Sequence, residues 1–168
     1  AAADDLLDAE DEDFFDDEAD IDPADAWHHV AGVMVGQDIS DRVVQFAASP
    51  PHFDLGKSFD TFCPMGPWLV TADAVDAADI GVRCWVNGDL RQSARTRDLI
   101  FDLPSLVETC SRGITLYPGD VISTGTPSGT GMERQTFLKP GDVVEIEVEG
   151  IGVLRTPFRA LSEKPAGQ

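Results

Sequence analysis

The chain has 168 residues and a mass of 18.1 kDa, with 42% hydrophobic and 8% aromatic positions, enough apolar material for one core in one domain. Its 31 acidic residues against 12 Lys and Arg give a formal charge of −19, which repels nucleic-acid phosphates and anionic membrane surfaces alike. No apolar run approaches the roughly 20 residues that span a bilayer, and no basic stretch leads into an apolar one, so neither a membrane span nor a secretory leader is expected.

The charge is unevenly placed. Residues 1–41 hold 15 of the 31 acids and no Lys or Arg, whereas residues 42–168 hold all 12 basic residues. Like charges at that density resist compaction. Residues 1–22 are therefore expected to be a disordered acidic segment, 23–162 a folded domain and 163–168 a frayed tail. Three widely spaced cysteines, Cys63, Cys84 and Cys110, suit neither a disulfide framework nor a zinc site, so a reducing cytoplasm is the expected compartment.

Pro23 opens a short helix over 24–29, followed by an apolar stretch over 30–35 that ends in Gly36-Gln37-Asp38. A helical turn beginning at Asp41 would present Arg42 and Gln45 on one side. A loop with two prolines leads to Gly56-Lys57-Ser58-Phe59, and residues 66–71 read as a strand after a turn. Residues 82–86, Asn87-Gly88 and 90–92 predict a tight hairpin, because Asn-Gly accepts positive φ at both turn positions. Asp102 and Pro104 start a helix that buries Leu103, Leu106, Val107 and Cys110 and stops at Gly113. Tyr117-Pro118-Gly119-Asp120 turns into an expected strand at 121–124. Lys139-Pro140-Gly141-Asp142 turns into a second, in which Val144, Ile146 and Val148 alternate with Glu145, Glu147 and Glu149. The fold class is thus a β-rich α+β domain with a few short helices.

Each candidate for chemistry has a plain reading beside the functional one. Asp38 follows an apolar segment at a glycine, a place for a strand-end carboxylate facing a cleft or for a turn cap. Lys57, between Gly56 and Ser58-Phe59, is either an anion clamp or an ordinary surface lysine. The Gly-, Ser- and Thr-rich loop over 123–131 offers N–H groups and hydroxyls to an anion, but lacks the Gly-Lys-Ser/Thr ending of a nucleotide phosphate loop. The three alternating glutamates are explained by an exposed strand face. His28, His29 and His52 show no metal-ligand spacing.

Taken together, several ordered motifs resemble the fumarylacetoacetate hydrolase family in its catalytic C-terminal domain. They are Gly36-Gln37-Asp38-Ile39-Ser40-Asp41-Arg42, Gly56-Lys57-Ser58-Phe59-Asp60-Thr61-Phe62, Trp85-Val86-Asn87-Gly88, the loop Gly119 to Pro127, and Phe137-Leu138-Lys139-Pro140-Gly141-Asp142. The resemblance covers about residues 19–160. It implies a mixed β-sandwich roll, here with its N-terminal part incomplete, and a homodimer. It also implies a divalent cation, Mg²⁺ or Mn²⁺ with Ca²⁺ as a third option, and a small 1,3-dicarbonyl or β-keto acid substrate of the acylpyruvate, fumarylacetoacetate or oxaloacetate type. Hydrolysis, decarboxylation and isomerisation in aromatic catabolism are the implied reactions, all through a metal-stabilised enolate. By motif, Asp38 matches the metal-ligating aspartate and Thr61 falls near the metal. Lys57 matches the active-site lysine, Arg42 and Gln45 the substrate pocket, and Thr126 the substrate-contacting loop. The sequence departs from the pattern upstream. The family's Glu-x-Glu metal ligands align with Leu7 and Ala9, and Glu10 and Glu12 lie about three positions late. The alternative is accordingly a catalytically inactive domain that lacks those ligands.

Overall fold

A computed structural model describes residues 20–160. The tail at 163–168 and most of the acidic segment at 1–22, with Glu10 and Glu12, lie outside the described residues. Two antiparallel sheets carry the domain. The first pairs β1 (Gly32–Gly36) with β2 (Met65–Thr71), and the second runs β4 (Asp89–Arg95), β3 (Gly81–Val86), β5 (Val143–Val148), β6 (Gly152–Pro157). Helices are short: α1 (Arg42–Gln45), α2 (Leu103–Gly113) and α3 (Gly131–Arg134), with 3-10 turns at Ala26–His29, Leu55–Lys57, Ala72–Ala74 and Thr96–Asp98. This is the expected mixed α+β architecture.

The hairpin forms where Asn-Gly predicts it. Asn87 and Gly88 take φ of 52° and 84°, and β3 and β4 pair on either side. Period two in β5 buries Val144 and Ile146 and turns the glutamates outward. There Glu147 meets Arg83 across one ladder and Glu145 meets Arg155 across the other, at 3.6 and 3.5 Å. Exposed cross-strand pairs of this kind account for the glutamate row without catalysis.

The sheets meet over Val35, Cys84, Val144, Ile146 and Ile151. Trp68 Nε1 crosses between them and donates to Ile151 O at 2.9 Å. A second, smaller core sets α2 against the Ala26–His29 turn through Ile21, Ala26 and Val107. Asp102 caps α2 by accepting from Ser105 N at 3.0 Å, as expected. Ile21 is buried and its N–H donates to Ser111 Oγ at 2.9 Å, so the packed part of the chain includes the last residues of the acidic stretch.

One expected strand is absent. Residues 121–124 form no ladder, because among the described residues no backbone hydrogen-bonds alongside them. They run as an irregular segment over the surface, with Val121 exposed.

Asp142 ties the Asn87-Gly88 hairpin to the Pro-Gly-Asp turn before β5. Its Oδ1 accepts from Asn87 Nδ2 at 2.8 Å and its Oδ2 from Lys139 N at 2.9 Å. Asn87 in turn accepts from Val143 N at 2.9 Å. The Asn87 side chain and then the Lys139 N–H hold the Asp142 carboxyl below its ordinary value.

Two predictions follow from these contacts. Ile146→Ala should cost about 2–5 kcal/mol in urea unfolding, whereas Val153→Ala at a half-exposed site should stay within about 0.5 kcal/mol. For Asp142 the folded value is depressed, so its stabilisation is present at neutral pH and is lost as pH falls through the folded value. Melting temperature should therefore drop between about pH 5 and about pH 3, and Asp142→Asn should lower it at neutral pH while flattening that acid slope.

Candidate functional site

β1 ends at Gly36 and the chain bends at once. Gln37 N donates to Pro64 O at 3.1 Å and Ile39 N to Gln37 O at 2.9 Å, which puts Asp38 at the centre of a three-residue turn. Asp41 then caps α1, accepting from Val43 N and Val44 N at 2.9 and 3.0 Å. As the spacing predicts, Arg42 and Gln45 share one side of α1, with Arg42 Nη1 donating to Gln45 Oε1 at 2.5 Å.

The Leu55–Lys57 turn supplies the second half. Asp54 caps it through Leu55 N at 2.6 Å, and Lys57 N closes it on Asp54 O at 2.9 Å. The turn lies tight against α1, with Asp41 N donating to Gly56 O at 2.7 Å. A Cβ on Gly56 would stand 3.0 Å from Asp41 O and 3.3 Å from Gln45 N, so the glycine is what permits the approach. The Lys57 ammonium consequently reaches Asp38 and donates to its Oδ2. The two side chains are 31% and 48% exposed, respectively. An ion pair so open to water adds little stability and stays reachable by a ligand.

Asp38, Arg42, Lys57 and Thr126 all border one concavity of 2210 Å³, which also reaches the core residues Val35, Cys84 and Ile146. That exceeds the roughly 300–1,000 Å³ of an ordinary small-molecule pocket, so the concavity is an open trough. Two other candidates lie off it. Gln45 is buried and accepts from Arg42, and Thr61 sits exposed in a turn at φ 70°. Gln92 on β4 lines the trough and holds Thr126, its Nε2 donating to Thr126 Oγ1 at 3.1 Å and Pro127 O at 2.7 Å. The sequence gives no signal for this glutamine, since a polar residue on a strand next to a hairpin reads as solvated. Cys84 is buried, which pushes its thiol up and makes it inert as a nucleophile.

Among the described residues the donor set does not by itself make up a site for a dication. Hard dications take several oxygen ligands, from carboxylates, carbonyls and water, with one or two protein carboxylates usual for Mg²⁺. Among the described residues no three His, Cys, Asp or Glu side chains stand close enough to hold one, and Asp38 is already paired with an ammonium. Beside Asp38 in the chain, Gln37 Oε1 and Ser40 Oγ are buried without hydrogen-bond partners among the described residues, and as neutral oxygens they would add donors but no charge to a cation.

The sequence matches the family Fumarylacetoacetate (FAA) hydrolase C-terminal over residues 16–159. It is 46% identical over 136 residues to the mitochondrial oxaloacetate tautomerase of Xenopus laevis, covering 79% of this chain and 43% of that protein. Among solved structures, the fumarylacetoacetate hydrolase of Exiguobacterium antarcticum superposes with a TM-score of 0.79 at 40% identity, over 87% of this chain and 56% of that one. The maleylpyruvate hydrolase of Sphingobium, solved with manganese(II) and pyruvate, does so with 0.71 at 36%, over 85% and 53%. The chain thus spans about half the length of the relatives it matches. The expectation of a cytoplasmic protein is corrected here, because the vertebrate tautomerases it matches are mitochondrial. Free thiols suit other reducing compartments equally, so cysteine usage had not distinguished them. With its two-sheet fold, its motifs in order and relatives of this similarity, the chain belongs to the fumarylacetoacetate hydrolase family, in its C-terminal domain.

Proposed function

We propose that this chain carries the anion-binding side of a keto-acid site and that the polypeptide does not turn substrate over unaided. The observation that carries this reading is the Asp38–Lys57 pair in a trough where the described residues supply no three-ligand metal group. Lys57 and Arg42 offer positive charge to a substrate carboxylate, and Thr126 offers a hydroxyl. The substrate class, a small 1,3-dicarbonyl or β-keto acid, is taken from family membership. Homodimer assembly belongs to the same reading. Among the described residues no helix is long and apolar enough to cross a membrane.

The identity to oxaloacetate tautomerases favours a second reading, an active metal-dependent hydrolase, decarboxylase or isomerase working through a metal-stabilised enolate. In that case Asp38 would ligate the cation, and carboxylates from outside the described residues, Glu10 and Glu12, would complete the set.

Calorimetry with MnCl₂ and a tautomerisation assay on oxaloacetate separate the two. The first reading expects no Mn²⁺ binding at micromolar concentrations and no rate above buffer. Micromolar binding with turnover, both abolished by Asp38→Asn and by the Glu10→Gln/Glu12→Gln pair, would establish the second reading instead. Under the first, pyruvate should still shift the amide resonances of residues 37–42 and 56–58, and Lys57→Met should weaken that binding by about tenfold or more.

A further inference from the structure

The loop that carries Thr126 has almost nothing of its own to hold it. Residues 121–128 belong to no ladder, and among the described residues Gln92 is their one hydrogen-bond partner. The polarity of those two bonds is fixed. Pro127 O can only accept, so the amide nitrogen of Gln92 faces the loop, and that nitrogen can only donate. Thr126 Oγ1 must therefore act as the acceptor in its bond with Gln92. Its single hydroxyl proton is left for another acceptor.

The flank of the loop is locked to the same strand. Gly129, at φ +102°, approaches so closely that a Cβ would lie 2.1 Å from Arg91 O. Arg134 Nη2 donates to that same oxygen at 3.0 Å. Glu133 Oε2 gathers the N–H groups of Gly129 and Thr130, the latter at 3.1 Å, where α3 begins. The loop is thus clamped to residues 91 and 92 of β4, with the glycine clamp behind Thr126 and the glutamine clamp on it.

We infer that Gln92 is a positioning residue: it fixes Thr126 and turns the threonine hydroxyl proton toward a substrate carboxylate in the trough. The inference rests on the reading of Thr126 as a substrate contact, and goes beyond it by assigning the residue that sets the direction of that contact. Gln92→Glu keeps the shape but reverses the polarity, since a carboxylate takes the threonine proton and repels both Pro127 O and an incoming anion.

The test is pyruvate titration of the ¹⁵N-labelled full chain, with a melting curve for every variant. Gln92→Ala and Gln92→Glu should each weaken pyruvate binding by about tenfold, the glutamate at least as much as the alanine despite its shape. Thr126→Val should lose about as much, and the Gln92→Ala/Thr126→Val double variant no more than Thr126→Val alone, because the two residues act as one unit. A passive anchor predicts instead that Gln92→Glu is milder than Gln92→Ala, or that the losses in the double variant multiply. Either result, or wild-type affinity in both Gln92 variants while Lys57→Met loses binding, overturns the inference and leaves the site reading standing. If wild-type chain fails to bind pyruvate, or Lys57→Met binds it equally well, the site reading falls and takes the inference with it. Should Gln92→Ala melt early, the near-isosteric Gln92→Glu and Thr126→Val carry the decision.

Discussion

The contact of Gly56 with the first turn of α1 is the constraint on which the site depends. Asp38 and Lys57 lie nineteen residues apart on different segments, and only the close approach of two backbones brings an ammonium to that carboxylate. Asp41 serves both partners of the contact. Its side chain caps α1 and its own N–H donates to Gly56 O, so one residue sets the start of the helix and the docking of the lysine turn. A Cβ at position 56 would stand tight against Asp41 O and Gln45 N, so the two backbones would have to give to admit it.

Several acidic residues among those described are satisfied by local structure. Asp41, Asp54, Asp102, Asp120 and Asp142 accept backbone N–H groups at helix starts and turns. Asp79 is held by Arg95 and Arg97, and the sheet glutamates by arginines across the ladder. These carboxylates are accounted for by local structure. Asp38 differs: its recorded partner is a lysine side chain in an open trough, so its position is not explained by turn capping.

Much of the fold was legible in the sequence because it is written in local chemistry. Asn87-Gly88 set the hairpin, Asp102 and Pro104 started α2, and the alternation of β5 put Val144 and Ile146 inside. Residues 121–124 misled because a β-branched run after a Pro-Gly turn says nothing about whether a neighbouring strand exists to pair with it. Of the candidate site residues, Asp38 and Lys57 meet directly, and Arg42 and Thr126 border the same large concavity. Gln45 and Thr61 did not join them, since motif proximity along the chain fixes neither burial nor the face a side chain takes. Gln92 was invisible for a related reason: its role comes from a contact 34 residues away across the fold.

The pairing of Asp38 with Lys57 also determines how an anion can be held. A carboxylate entering the trough is drawn to Lys57 and repelled by Asp38, and in water-exposed surroundings the two terms are of similar size, about 1–4 kcal/mol each at 4 Å. The Lys57–Asp38 pair by itself therefore gives an anion only modest net attraction. A neutral donor has no such offset. On the proposed reading, the hydroxyl of Thr126 would add a hydrogen bond to the anion without adding a charge that Asp38 would have to share, and its value would depend on direction as much as distance. A loop without a ladder cannot supply that direction by itself. The fixed polarity of the Gln92 amide can, which is why the strand behind the loop matters to the chemistry in front of it.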